Sequence, residues 1–216
     1  MTYAELKTAI ANYLNRSDLT SQLDTFIDNT EAELNRRLRV KDMVTRSNIT
    51  VDAQYEDLPT DFLELINLDL QTSNPKPLFQ QSLESLDVYR RANNDITGQP
   101  VYFSLSDKQI EFAPKPDASY TAQITYYARI TGLSDSNTTN FVSNNYSDVY
   151  LYGCLKHASI YLMEDERVPL FHEYFEKSLE EMRQEQEKAE FGKGSLIPRR
   201  RTYGKPKKHI YYWSNN

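Results

Sequence analysis

A single cysteine, Cys154, stands in the 216 residues, so no intrachain disulfide can form. Glycine is scarce at six residues, which leaves little material for the deep glycine loops of a compact enzyme. No run approaches the roughly 18–20 consecutive apolar residues of a membrane span. Met1-Thr2-Tyr3-Ala4-Glu5 has neither the basic start nor the apolar stretch of a signal peptide, and the expectation is a soluble intracellular product with no membrane partner. Only 39% of residues are hydrophobic and mean hydropathy is −0.70. With 16 tyrosines, such a composition suits a polar protein whose surface is partly covered by other subunits.

Motifs of catalysis are missing as well. Gly192-Lys193-Gly194-Ser195 fails as a phosphate loop, because Glu187 stands where the first glycine belongs and Gly194 where a Ser or Thr must follow the lysine. Gly132-Leu133-Ser134-Asp135-Ser136 lacks the final glycine of a nucleophile elbow. Cys154 and His157 lie three apart on a helical stretch, but only His172 and His209 remain to complete a metal set, so a core cysteine beside a half-exposed histidine is expected. The carboxylates are expected on solvated helix faces, with no pair tuned for acid and base roles. No catalytic residue, cofactor or metal is expected, and the chain reads as a non-enzyme.

What the sequence does have is a division of charge. Residues 192–216 hold seven cations, Lys193, Arg199, Arg200, Arg201, Lys205, Lys207 and Lys208, and no Asp or Glu. With 25 basic and 31 acidic residues in all, residues 1–191 keep 18 and 31, a net charge of −13. The basic segment is broken by Gly192, Gly194, Pro198, Gly204 and Pro206, yet it ends in His209-Ile210-Tyr211-Tyr212-Trp213. Ordering a chain costs roughly 1–2 kcal/mol per residue, and a segment so broken and self-repelling cannot offset that by itself. It reads either as an arm that orders on a partner or as a solvated basic terminus. The candidate anchoring residues are Arg199, Arg200, Arg201, Tyr203, Lys205, Lys207, Lys208, Tyr211, Tyr212 and Trp213. An acidic protein surface and DNA both fit the charge; the acidic body argues against a protein that grips DNA overall.

The rest of the chain reads as α+β. Thr2 to Glu5 has capping-box spacing, followed by Leu6, Ile10, Tyr13 and Leu14 at helical intervals. A second helix places Leu23, Phe26, Ile27, Thr30, Leu34 and Leu38 on one side, with Arg36, Arg37 and Arg39 at its end, where cations are favoured. Short strands are expected at 43–45, 48–51, 65–70, 101–105, 109–112 and 120–128, and a helix at 83–91 between them. Residues 106–108 have hairpin length, and Pro114-Lys115-Pro116-Asp117 is read as the turn joining the next two strands. Two more helices follow: 148–163, with Leu151, Cys154, Leu155, Ala158 and Leu162 on one stripe, and another running to about residue 191 with Phe171, Tyr174, Phe175, Leu179 and Met182 inward. The far end of the latter loses its apolar stripe, and is expected to project into solvent or against another subunit, or to fray. Domains are therefore expected as a helical bundle from 1–40 and 141–191, an inserted antiparallel β-rich domain at 41–140, and an extended arm at 192–216.

Four stretches taken together resemble a known family: residues 19–38 with Thr30-Glu31-Ala32-Glu33-Leu34-Asn35-Arg36-Arg37-Leu38; Leu58-Pro59-Thr60-Asp61-Phe62-Leu63-Glu64-Leu65; Ile110-Glu111-Phe112-Ala113-Pro114-Lys115-Pro116-Asp117; and Tyr150-Leu151-Tyr152-Gly153-Cys154-Leu155-Lys156-His157-Ala158. In this order they resemble head-to-tail adaptor (connector) proteins of tailed double-stranded DNA bacteriophages, over roughly residues 2–190. The resemblance implies an α-helical bundle carrying a β domain, assembled with other copies of itself as a ring, commonly a dodecamer, below the portal protein. It implies a C-terminal arm inserted between portal subunits and an opposite face that receives the next tail protein, a nozzle or tail tube. DNA would pass through the channel without sequence-specific binding, and the protein would reside in the virion at the head-tail junction after synthesis in the host cytoplasm. The alternative from the residues is a DNA-binding packaging accessory that uses the basic arm.

Overall fold

The computed structural model of the chain describes residues 1–72, 76–164 and 166–191, with side chains to 188. The arm residues Arg199, Arg200, Arg201, Tyr203, Lys205, Lys207, Lys208, Tyr211, Tyr212 and Trp213 lie outside the described residues. Within them the architecture is α+β, with six α-helices and eight strands in two four-stranded sheets.

Helix α1 (Tyr3–Leu14) starts with the expected capping box: the Glu5 amide donates to Thr2 Oγ1 at 3.3 Å and the Thr2 amide to Glu5 Oε2 at 2.8 Å. Leu6, Ile10 and Leu14 are buried, whereas Tyr13, expected on the same stripe, is exposed. Its ring lies one position outside the row that 3.6-residue spacing aligns with Leu6 and Ile10. Asn15 then closes the helix in the left-handed region at φ 51°, a conformation that Asn tolerates better than most residues. Helix α2 (Thr20–Arg37) buries Leu23, Phe26, Ile27, Thr30 and Leu34, and Leu38 just beyond its end, as its periodicity predicts.

A 3-10 turn (Lys41–Met43) leads into β1 (Val44–Val51), one continuous strand where the sequence suggests two short ones. Next come β2 (Tyr55–Asp57), β3 (Phe62–Gln71), β4 (Lys76–Pro77), β5 (Phe79–Gln80), helix α3 (Leu83–Ala92), β6 (Tyr102–Ser106), β7 (Gln109–Ala113) and β8 (Tyr120–Ala128). The sheets are ordered β1-β8-β3-β4 and β2-β7-β6-β5. Two expectations are corrected here. Pro114 to Asp117 does not close a hairpin, since β7 pairs in the second sheet and β8 in the first; the segment carries the chain across from one sheet to the other. Nor is the β part wholly antiparallel, because β5 runs parallel to β6.

Val51, Leu68, Leu70, Ala122, Ile124 and Tyr126 of the first sheet meet Phe103, Ile110 and Phe112 of the second in one buried core. Helix α3 covers the outer side of the second sheet. Its Arg90 Nη1 reaches Glu111 Oε1 at 2.6 Å, its Tyr89 ring stands edge-on to Tyr102 with centroids 5.1 Å apart, and Leu86 is fully buried.

The chain returns through residues 129–140 to α4 (Phe141–Asn145), α5 (Ser147–Tyr161) and α6 (Val168–Phe191). A second core gathers Leu6, Ile10, Phe26, Ile27, Leu34, Val149, Tyr150, Cys154, Leu155, Phe175, Leu179 and Met182 from α1, α2, α5 and α6. Helix α5 touches α1, α2, α4 and α6, so it is buried nearly all round rather than along one stripe. Leu151 and Leu162, expected on that stripe, are only half-buried. On α6, Phe175, Leu179 and Met182 face inward as predicted, Phe171 is half-buried, and Tyr174 is exposed.

Candidate interaction surface

Two polar clusters hold the β part and α6 against α2. The first is built on Glu31, a carboxylate 8% exposed. Glu31 Oε1 accepts the Leu133 amide at 2.7 Å and the Tyr150 hydroxyl at 3.1 Å, and Asn140 Nδ2 donates to that hydroxyl at 2.7 Å. One turn further on, Asn35 Oδ1 accepts the Ile130 amide at 2.8 Å. The segment returning from β8 therefore uses two backbone amides to bind two side chains of α2. Burial pushes the Glu31 carboxyl above its ordinary range, with the Leu133 and Tyr150 donors opposing that shift, and burial also drives the Tyr150 phenol upward, the Glu31 charge adding to it. Gly132 lets the chain pass close to this carboxylate: a Cβ there would sit 2.8 Å from Glu31 Oε2 and oblige the carboxylate to shift. Glu31 was expected on a solvated face. Its spacing from Ile27 and Leu34 places it on the buried stripe instead, and that spacing was the available signal.

The second cluster joins α2, α5 and α6. Lys156 Nζ meets Glu33 Oε2 at 2.5 Å, Arg37 Nη1 meets Glu33 Oε1 at 3.0 Å, and Arg37 clamps Glu176 with two bonds of 2.6 Å. Lys156 Nζ also lies 4.3 Å from the centre of the Phe175 ring. Burial raises the Glu33 carboxyl, but the Lys156 and Arg37 bonds outweigh it and bring the group below its ordinary value. Glu176 is lowered chiefly by Arg37. His157 stands with its Nε2 3.4 Å from Glu33 Oε2, and burial, assisted by the Lys156 charge, lowers its pKa. Cys154 faces Thr30, whose hydroxyl lies 3.5 Å from the sulfur, and burial pushes its thiol up to about 12. Cys154 and His157 thus have different neighbours and do not converge. Among the described residues no cluster of His, Cys, Asp and Glu is arranged to hold a metal ion.

The far end of α6 departs from expectation. Gln186 is buried there, donating to Asp42 Oδ2 at 2.9 Å and to the Tyr146 hydroxyl at 3.1 Å, and Arg183 donates to the Arg37 carbonyl at 2.9 Å. The helix end is fastened to the 3-10 turn and α2 by amide and guanidinium groups, which an apolar-stripe criterion overlooks. Its outer side stays acidic, with Glu173, Glu180, Glu181, Glu185 and Glu187 all exposed. At the opposite end of α6, Tyr13, Tyr161, Met163, Leu170 and Tyr174 are exposed, and Tyr152 stacks on Tyr174 with centroids 5.3 Å apart. Tyrosines of this kind are typical of protein interfaces. No helix among the described residues is long and apolar enough to cross a membrane.

Residues 1–199 match the family model described as SU10 adaptor protein. The match covers all of the helices and sheets above and stops at Arg199, leaving most of the anchoring candidates beyond it. No curated protein matches the chain.

Proposed function

We propose, because the chain belongs to the SU10 adaptor protein family, that it is a structural head-to-tail adaptor of a tailed phage. In this reading it forms a ring, a dodecamer, below the portal protein. Its helical bundle (1–40 and 141–191) carries the inserted β-rich domain (41–140), and the arm (192–216) anchors it to portal through Arg199, Arg200, Arg201, Tyr203, Lys205, Lys207, Lys208, Tyr211, Tyr212 and Trp213. The opposite face receives the next tail protein, and DNA passes through the central channel.

The observation that carries the reading is the family match together with the separation of charge: a body of −13 and an arm of seven cations ending in three aromatic residues. Aromatic and Arg side chains are those on which interface energy concentrates. A ring multiplies weak arms, since each docked arm raises the effective concentration of the rest. An acidic wall would let phosphates slide past rather than adhere.

The test is mass measurement of the full chain alone and mixed with portal, alongside a chain ending at Phe191. The full chain is expected to join portal as a ring and the shortened chain to lose attachment; unchanged attachment without the arm refutes the anchoring role. Binding of DNA that weakens steeply with salt and disappears on changing Arg199, Arg200 and Arg201 to Ala, with no portal attachment, would favour the packaging-accessory reading.

A further inference from the structure

The sheets have four edges, and three are blunted. Strand β2 is three residues long, β5 is two, and β4 is two residues consisting of a lysine and a proline, Lys76 and Pro77, paired with Asp69 and Leu70, while the part of β3 that β4 leaves uncovered is broken by register shifts between Phe62 and Glu64 and between Leu65 and Asn67. Short strands, lysine and proline are the ordinary devices that stop a sheet from recruiting another strand. The fourth edge, β1, has none of them. It runs eight residues, pairs with β8 in unbroken register from Val44 to Val51, contains no proline or glycine, and carries one charge, Arg46. Among the described residues no strand pairs with its other side. The register places Thr45, Ser47, Ile49 and Val51 on the inner side with Tyr126, Ile124, Ala122 and Tyr120, and Val44, Arg46, Asn48 and Thr50 on the outer side.

We propose that this open edge is a strand acceptor, and that in the unassembled chain its occupant is the chain's own terminal segment around His209-Ile210-Tyr211-Tyr212-Trp213. Two observations select that occupant. The segment is the only stretch of residues 192–216 with several consecutive β-branched and aromatic residues, the composition that fits a pleated, half-buried surface. It also starts from the right place. Gln186 of α6 is bonded to Asp42, two residues before β1 begins, and five further residues at about 1.5 Å each carry α6 only about 8 Å beyond it. From Gly192 the 17 residues to His209 reach up to about 60 Å, more than twice the roughly 27 Å length of β1. Docked on the edge, main-chain bonds would supply affinity and alternate side chains the fit. Ile210 and Tyr212 would extend one face of the strand, and Tyr211 and Trp213 the other. The inference concerns the chain without partners and stands whether or not the arm anchors to portal.

The experiment is amide hydrogen exchange on the full chain in the absence of portal, comparing wild type with the double variant Ile210→Pro, Tyr211→Pro. Two adjacent prolines remove the inward-facing amide whichever way the segment lies, and they fall outside the folded body. Expected in wild type is protection of the β1 amides that point away from β8 and of amides in residues 209–213, with loss of both in the variant and unchanged protection of β8 and of the β1 amides bonded to it. The protection is also expected to persist on dilution. Equal exchange of the β1 edge in the two proteins overturns the proposal, and so does protection that vanishes on dilution, which would assign the added strand to a second copy. As a second measurement, Asn48→Cys combined in turn with Ile210→Cys, Tyr211→Cys, Tyr212→Cys and Trp213→Cys is expected to form an intrachain disulfide under mild oxidation in at least one pair; no crosslink in any pair, or only dimers, counts against the proposal.

Discussion

Gly153→Ala tests how closely α2 and α5 are packed. Gly153 lies inside α5, and an added Cβ would stand 2.5 Å from Thr30 Cγ2, 3.2 Å from Thr30 Oγ1 and 3.1 Å from Phe175 Cε2. None of these neighbours can easily withdraw. Thr30 is fully buried with its hydroxyl bonded to the Phe26 carbonyl at 2.8 Å, and Phe175 is fully buried in the core. Overfilling a packed core costs about 1–3 kcal/mol, while replacing glycine by alanine inside a helix returns about 1 kcal/mol. The net loss expected is therefore about 0–2 kcal/mol, a value too small to be diagnostic alone. The decisive measurement is a double-mutant cycle with Thr30→Ala by urea unfolding. Once Thr30 Cγ2 and Oγ1 are gone, only the Phe175 contact remains, and Gly153→Ala should become neutral or stabilising, giving a coupling of about 1–3 kcal/mol, within the range of contacting residues. A cycle that closes with no coupling, or a Gly153→Ala variant that is stabilised in the native background, refutes the close-crossing account.

Lys156→Met leaves Glu33 buried with Arg37 as its remaining cation; removing one partner of a buried pair costs about 3–5 kcal/mol, and the surviving 3.0 Å contact with Arg37 places the expectation at the lower end, with Glu33→Gln in the same chain recovering part of the loss. Glu31→Gln isolates a pH effect. A carboxyl whose pKa is raised on folding stabilises the fold while protonated, below the ordinary 4.5, and that contribution is lost as pH climbs through the folded value. Wild type should therefore lose stability relative to Glu31→Gln as pH rises above the ordinary carboxylate value of 4.5, and a difference that moves the other way in urea titrations removes the burial argument. Cys154, fully buried with its thiol raised to about 12, is expected to resist alkylation near neutral pH until the chain unfolds; rapid labelling of native protein, followed by mass, would contradict it.

Much of the helical layer was legible because its signals are local. The Thr2 to Glu5 spacing encodes a cap, and the row from Leu23 to Leu38 encodes a face. The β part was legible as strands but not as a sandwich. Strands β2, β4 and β5 are two or three residues long, too short to establish a period. In β1 the inward positions include Thr45 and Ser47, so hydrophobic alternation is weak and the strand reads as broken. Turn residues such as Pro114 and Pro116 reveal that the chain reverses, not whether the next strand joins the same sheet. Polar core positions were hidden for a related reason. Glu31 and Gln186 occupy the spacing of buried residues, Glu31 between Ile27 and Leu34 and Gln186 after Leu179 and Met182, but their burial depends on donors and acceptors from distant segments.

The polar contacts define a path from the end of α6 to the β part. Arg37 is the pivot: its guanidinium holds Glu176, and its carbonyl accepts from Arg183 two turns further along α6. A few residues beyond, Gln186 binds Asp42 in the turn that opens β1. Strand β1 pairs along its whole length with β8, and the segment following β8 is bound back to α2 through Asn35 and Glu31. Entry and exit of the β part are therefore neighbouring strands, the entry bonded to α6 through Gln186 and the exit to α2 through Asn35 and Glu31. A displacement at the end of α6 cannot relax into a single flexible linker, because moving Asp42 strains β1 and moving β1 strains the Ile130 and Leu133 amides. The buried bonds from the Ile130 and Leu133 amides to Asn35 and Glu31 are costly to leave unpaired, which favours concerted movement over local fraying. Force applied at the end of α6 should accordingly be felt by the two strands that join the β part to the helices before it is felt by α3, which rests on the far sheet through Arg90 and Glu111.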